Sequence, residues 1–302
     1  MLGCGAFGND GLPVASHPGI SGDFSRAVVV AGVTRNYLLD VQSTVLDGAP
    51  TPVVLLLHGG GGTAAGVARS TDGISGLADR HGFIAAYPES KGGHLDDGRE
   101  TVTAHTHDVA FIAALLDALA AEYSVGARRV YAAGISNGGM MSIHLAYELS
   151  SRFAAIATVA AKMSAALAAS CSPARAVPIV MFSGTADPLM PYAGGSVFGR
   201  VGGAVLSAPD TAAFWACRNG VAASPRISSL PDTATNDGTT PDLLTHGSAD
   251  SAGEVALYRI NNGGHTWPGG TQYLPERFIG KLSKDFSATD AMWAFYSRHT
   301  LP

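Results

Sequence analysis

The sequence predicts an α/β fold: a central, mostly parallel sheet entered through an N-terminal antiparallel hairpin, with helices on both faces. Three observations predict it. Residues 53–58, VVLLLH, are apolar without alternation, the pattern of a strand buried on both faces. Strand-like runs then alternate with helical periodicity to the end of the chain, as in sheets covered by helices on each side. Residues 24–41, by contrast, alternate around Gly32 and read as two antiparallel strands joined by a tight turn.

The elements follow in order. After the hairpin and the strand at 53–58, a helix is expected over about 67–80 and a strand at 83–87. A long helix follows over about 108–123, where Val109, Ile112, Leu115, Leu116 and Leu119 recur at helical spacing. A strand at 129–133 leads into a helix beginning near Asn137, then come strands at 156–159 and 178–182. Residues 188–209 read as loop before a helix at 211–217, and 231–253 is polar and also reads as loop. A last strand at 255–260 precedes a closing helix at 289–299, in which Met292, Phe295 and Tyr296 are available for packing; Trp215, Trp293 and Phe295 read as core. No repeat or long linker divides the chain, so residues 24–302 are expected to form one catalytic domain behind an N-terminal extension, 1–23.

Composition narrows the function. The 302 residues are 46% hydrophobic and 14% charged, enough for a large core, and 19 basic against 24 acidic residues give a net charge of -5. The longest basic run is Arg128 with Arg129, so a protein that neutralises a phosphate backbone is excluded and no nucleic-acid partner is expected. No apolar run approaches the ~18 to 20 residues of a membrane helix; the stretch at 153–161 is stopped by Lys162. The 38 glycines have no three-residue period, which excludes collagen. The opening residues do not read as a signal peptide, though they could be the remainder of one. With three cysteines, Cys4, Cys171 and Cys217, a secreted or periplasmic protein with a Cys171–Cys217 bridge is the expectation, against the ordinary reading of cysteine as a buried core residue.

The chemistry concentrates at three strand ends. Gly134-Ile135-Ser136-Asn137-Gly138 fits G-x-S-x-G between a strand and a helix, the corner that projects a serine hydroxyl above a sheet edge. Asp187 follows the apolar strand at 178–182, and His265 follows the strand at 255–260. Each lies just beyond a strand's carboxyl end, where open α/β sheets collect ligands. The order Ser136, Asp187, His265 is that of the α/β-hydrolases. In such a set His265 takes the serine proton, and Asp187 fixes the imidazole tautomer and stabilises its cation. The glycine run after His58 lets backbone N–H groups turn towards a reacting carbonyl, so Gly60 and Asn137 are the expected oxyanion donors. Tyr192, Trp267 and Tyr273 are expected to line a substrate pocket. His105, His107 and Asp108 could hold a metal but read better as helix capping, and Asp96, Asp97 and Asp237 lack calcium-loop spacing. No cofactor or metal is expected.

With these motifs in place, the chain resembles the esterase and polyhydroxybutyrate-depolymerase-like family of α/β-hydrolases, close to the feruloyl esterases, from about Gly32 to His299. LLLHGGGG is similar to the family's oxyanion segment and GISNGGMM to its nucleophile elbow. SGTADPLMPYAGG and GGHTWPGG are similar to its acid and histidine segments, with Trp267 at the position that borders the substrate cleft. The resemblance implies a single α/β-hydrolase domain, usually exported, that cleaves small esters or soluble oligomers through an acyl-enzyme: short-chain, hydroxyalkanoate or feruloyl-type. One departure stands out, since the family often has a cysteine where this chain has Gly60. A hydrolase of a polyamide such as poly(aspartic acid), and a non-catalytic binding protein on the same scaffold, are the alternatives. The oligomeric state is left open.

Overall fold

In the computed structural model, which describes residues 22–43, 45, 48–71, 73–102, 106–249 and 251–302, one ten-stranded sheet runs through the molecule. Its order is β1-β2-β4-β3-β5-β6-β7-β12-β11-β10. The hairpin expected around Gly32 forms from β1 (Gly22–Val30) and β2 (Val33–Val41), and Gly32 turns it with a φ of 77° that glycine adopts without penalty. The extension expected at 1–23 lies outside the described residues except for its last two, which belong to β1.

The parallel centre consists of β3 (Thr51–Leu57), β4 (Ile84–Pro88), β5 (Val125–Ile135), β6 (Ala155–Val159), β7 (Ile179–Gly184) and β12 (Val255–Asn261). Every residue of β3 is buried because the sheet is covered on both sides. Val53, Leu55 and Leu57 enter a core with Phe111 and Leu115 of α3 (Asp108–Glu122) and Trp215 of α6 (Ala208–Arg218). Val54 and Leu56 enter a second core with Phe83, Phe182 and Phe295, the last from α8 (Ala288–Tyr296). A strand flanked by two dry faces has no polar side to alternate with, which is why VVLLL reads as a continuous run.

Several expectations are corrected. The helix over 67–80 is two, α1 (Ala64–Ser70) and α2 (Ile74–His81), because Gly73 breaks the chain with φ 73° and ψ 28°. The segment 231–253 is not all loop: it contains β11 (Thr240–His246), which pairs with β12, and β10 (Arg226–Ser229) pairs in turn with β11. Its polar look comes from a cross-strand ion pair, since Asp242 lies opposite Arg259 and accepts from it at 2.8 Å. Both edges of the sheet are therefore antiparallel. Within 188–209 a small ribbon forms from β8 (Gly195–Ser196) and β9 (Ala204–Val205). Two short helices escaped the pattern, α5 (Ala165–Ser170) and α7 (Glu276–Ile279).

The Cys171–Cys217 bridge is absent: both thiols are free. Cys171 closes α5 inside the core, where burial pushes its thiol up to about 11, whereas Cys217 is exposed on α6. Cys4 lies outside the described residues. Among the described residues no helix is long and apolar enough to cross a membrane.

Candidate active site

Ser136 stands between β5 and α4 (Asn137–Glu148) with φ 55° and ψ -121°. A non-glycine residue in this region costs on the order of 1–3 kcal/mol and persists only when its surroundings hold it. Here they do. The Ser136 N–H donates to Val159 O at 2.9 Å, and its carbonyl accepts from Met140 N–H at 2.9 Å. The flanking glycines permit the corner: a Cβ on Gly138 would run into the Leu57 carbonyl, and one on Gly134 into the Gly138 backbone.

Asp187 and His265 lie on the turns after β7 and β12, which are neighbours in the sheet. Their loops are stitched together: Ala186 N–H donates to Gly263 O at 2.9 Å, and Asn262 N–H to Thr185 Oγ1 at 2.9 Å. His265 Nδ1 donates to Asp187 Oδ2 at 2.9 Å, and both side chains are buried. The other carboxylate oxygen, Oδ1, accepts from Leu189 and Met190 N–H at 2.8 Å each. Burial pushes the Asp187 carboxyl up, but the His265 ring, the Lys162 ammonium and the Met190 N–H outweigh it and hold the group below its ordinary range.

Ser136, Asn137, Gly60 and His265 line one cavity of about 520 Å³. After β3 the glycine run is folded back on itself, with Gly61 N–H donating to Gly93 O at 2.7 Å and Gly62 N–H to Gly59 O at 2.9 Å. Among the described residues, neither the Gly60 nor the Asn137 N–H donates to a backbone carbonyl. His58 braces this loop: it receives Ser90 N–H on Nε2 at 3.1 Å and donates from Nδ1 to Gly59 O at 2.7 Å.

The expected aromatic wall divides. Tyr273 lines the cavity and its hydroxyl donates to the His265 carbonyl at 3.0 Å. Trp267 does not reach the cavity: it is fully buried in the core with Phe182 and Phe295, and its Nε1 donates to Thr289 Oγ1 of α8 at 3.0 Å. Tyr192 also lies off the cavity, packed against the other core. The sequence at 189–202 supplies the missing wall instead, with Leu189, Met190, Val197 and Phe198 facing the opening.

Five polar side chains near the site make contacts that no motif announces. Asn137 accepts Leu95 N–H on Oδ1 at 2.9 Å and donates from Nδ2 to Leu95 O at 2.9 Å and to Asp97 Oδ2 at 2.6 Å. Asp97 is fully buried and takes three hydrogen bonds of 2.8 to 3.0 Å from the Arg99 guanidinium, which also donates to Gly202 O at 2.7 Å. Asp97, weighed as a calcium ligand, is thus already spent on a cation and an amide. His94 leans over Gly60, filling the space a Cβ there would occupy. Burial and then the Arg99 charge hold its ring below the ordinary histidine range, so it is neutral at pH 7. The fifth is Lys162, the residue that ends the apolar run at 153–161. His105 lies outside the described residues, while Asp108 is buried against Arg35.

Comparison with known proteins bears on the family and the fold. The sequence profile of the family described as Esterase PHB depolymerase matches residues 40–208. The putative esterase NocK of Nocardia uniformis subsp. tsuyamanensis is 33% identical over 282 residues, covering 88% of this chain and 80% of its own. Feruloyl esterase B of Piromyces equi is 30% identical over 162 residues, 52% of this chain and 28% of its own. Among solved structures, an acetyl xylan esterase from Aspergillus awamori superposes with a TM-score of 0.60 at 16% identity, covering 91% of this chain and 99% of its own, a likeness of fold. A profile spanning more than half the chain, together with a relative matched over most of both sequences, places this protein in the PHB-depolymerase-like esterase family of α/β-hydrolases, as a carboxylic ester hydrolase.

Proposed function

We propose that Ser136, Asp187 and His265 are a catalytic triad and that the protein hydrolyses small carboxylic esters through an acyl-enzyme. The observation that carries the reading is the buried 2.9 Å hydrogen bond from His265 to Asp187 at the cavity that Ser136 enters on its strained corner. The free ring nitrogen of His265, Nε2, accepts the proton as Ser136 Oγ attacks the ester carbonyl. Asp187 keeps Nδ1 protonated and offsets the imidazolium charge. The N–H groups of Gly60 and Asn137 receive the developing oxyanion, the alcohol leaves with the His265 proton, and water then cleaves the acyl-enzyme under the same base.

Short-chain, hydroxyalkanoate or feruloyl-type esters are the proposed substrates. Among the described residues no Asp or Glu lines the cavity, whereas Arg99, whose charge Asp97 meets, and Arg200 do; the remainder of the wall at 189–202 is largely apolar, which suits an acyl or aromatic group that carries no positive charge. Membership of an esterase family disfavours both a polyamide hydrolase and an inert binding protein. Secretion belongs to the same proposal and is tested by fractionating the native host.

The test is labelling with a fluorophosphonate followed by intact mass. One adduct on the native protein, absent in Ser136→Ala, is expected; a folded Ser136→Ala that still turns over p-nitrophenyl acetate would sink the assignment. A kcat/KM comparison of methyl ferulate, soluble hydroxybutyrate oligomers and an amide polymer then ranks the substrate classes.

A further inference from the structure

The Lys162 side chain is 0% exposed, three residues beyond the end of β6, and does not line the cavity. Its Nζ donates to Met190 O at 2.6 Å and lies 3.7 Å from Asp187 Oδ2. That oxygen is the one that receives His265 Nδ1 at 2.9 Å. A lysine taken wholly out of water loses several kcal/mol of hydration unless a partner compensates, so an ammonium at this spot needs a reason. Leucine or methionine would fill the same volume without that cost.

Two consequences follow from where the ammonium sits. First, it ties the acid's turn to the neighbouring strand. Asp187 Oδ1 already takes the Leu189 and Met190 N–H groups, and Lys162 takes the Met190 carbonyl, so both sides of the Met190 peptide are fixed. Second, it shares the carboxylate oxygen that would otherwise serve His265 alone. A positive charge beside that oxygen competes with the ring for the carboxylate and weakens the field favouring imidazolium.

We propose that Lys162 is a positioning residue of the triad, holding the Asp187 turn and sharing Oδ2 with His265 so that esterase activity extends to lower pH. The proposal rests on the triad reading above. The titratable groups facing this pair are His265 and Tyr273, the latter through its bond to the His265 carbonyl; Asp187 is the charge that acts on Lys162 among the described residues. Burial lowers the Lys162 ammonium to about 8, partly restored by Asp187, so it remains charged at neutral pH.

Two variants separate the two consequences. Lys162→Met removes the charge and the donor, while Lys162→Gln removes the charge and keeps a donor for the Met190 carbonyl. With p-nitrophenyl acetate under chemistry-limited conditions, the acid limb of kcat/KM is expected to move up by about one pH unit in both. KM at the plateau should be unchanged, because Lys162 does not reach the cavity. The plateau kcat should fall further in the Met variant than in the Gln variant. Folded variants with an unmoved acid limb would overturn the proposal, and so would failure of both to fold, which would make Lys162 a structural residue only. If the native protein takes no fluorophosphonate label at Ser136, the triad reading fails instead.

Discussion

The cavity has two unlike walls. One is built from the turns after β3, β5, β7 and β12, where Ser136, Asn137, Asp187 and His265 are held by hydrogen bonds to backbone groups from several strands. The other is the stretch around Val197–Gly202 with Tyr273 and Leu274, where Phe198 is 74% exposed and Leu274 46% exposed. The first wall has the Asp187 carboxylate, the Asn137 amide and His265 Nδ1 all bonded, leaving the reacting atoms and the Gly60 and Asn137 N–H groups open; the second presents Phe198 and Leu274 to water, with Arg200 among them. Such a division separates chemistry from selection. Reacting groups need fixed geometry to within a fraction of an ångström, whereas an apolar surface can take many acyl groups by burial alone.

Changes on the two walls should therefore have different signatures. The largest effect is expected for Ser136→Ala and Asp187→Asn, each lowering kcat/KM by about 10⁴-fold or more while circular dichroism still reports a folded chain. A comparable loss from any single change at residues 197–202 would erase the distinction.

Gly264→Ala should come next. A Cβ there would strike the Ile279 carbonyl and lie 2.5 Å from Gly280 Cα, backbone against backbone, so the turn carrying His265 must move. A fall of about 10²-fold in kcat with little change in KM, and a loss of about 3 kcal/mol by denaturant melt, are expected. Unchanged kcat would mean that the histidine turn tolerates displacement.

Acid should also act on the first wall. The folded Asp187 and Glu254 carboxyls are held below their ordinary values: burial raises both, and the partners outweigh it, His265 and Lys162 for one, His299 and Arg298 for the other. Because the folded values are the lower ones, the stability they contribute is complete above the unfolded carboxylate range near 4 and is lost as pH falls through the folded values. A scan of Tm from pH 7 to 3 should show a plateau and then a fall, with the fall reduced in Glu254→Gln relative to its own plateau. A Tm independent of pH over this range would contradict the assigned partners.

The smallest effect belongs to the second wall. Phe198→Ala should change stability by less than about 0.5 kcal/mol and leave kcat alone, raising KM for aromatic esters by about 3- to 10-fold and less for acetate. Equal effects on both esters would mean that Phe198 does not meet the acyl group.

The same division explains what could be read without coordinates. Ser136, Asp187 and His265 each follow a buried strand directly, and the small residues around them exist because backbone must pass backbone there; both signals are local and survive in one dimension. Trp267 sits beside His265 in sequence and invites a role in the cleft, yet its ring turns into the core and its Nε1 is bonded to Thr289. Adjacency along a turn does not fix the direction of a side chain. Lys162 acts through Asp187 and Met190, and the Asp97–Arg99 pair through Asn137 and Gly202, all tens of residues away, and nothing local announces those partners. β10 and β11 are hidden for a different reason: β10 at the edge and β11 beside it carry polar and charged residues, and Asp242 looks like loop until Arg259 stands opposite it.

The imidazole of His94 over Gly60 has a consequence for how such sites change over generations. The two positions occupy one volume, so a change at one constrains the other. A side chain acquired at 60 evicts the ring at 94, and a smaller residue at 94 leaves a hole beside the bare glycine that a new side chain at 60 could fill. Either substitution alone is a step downhill, and the two together can restore the packing. Gly60→Ala should therefore be tolerated better in a chain that already carries His94→Ala than by itself, since an unfilled hole costs less than two atoms in one place.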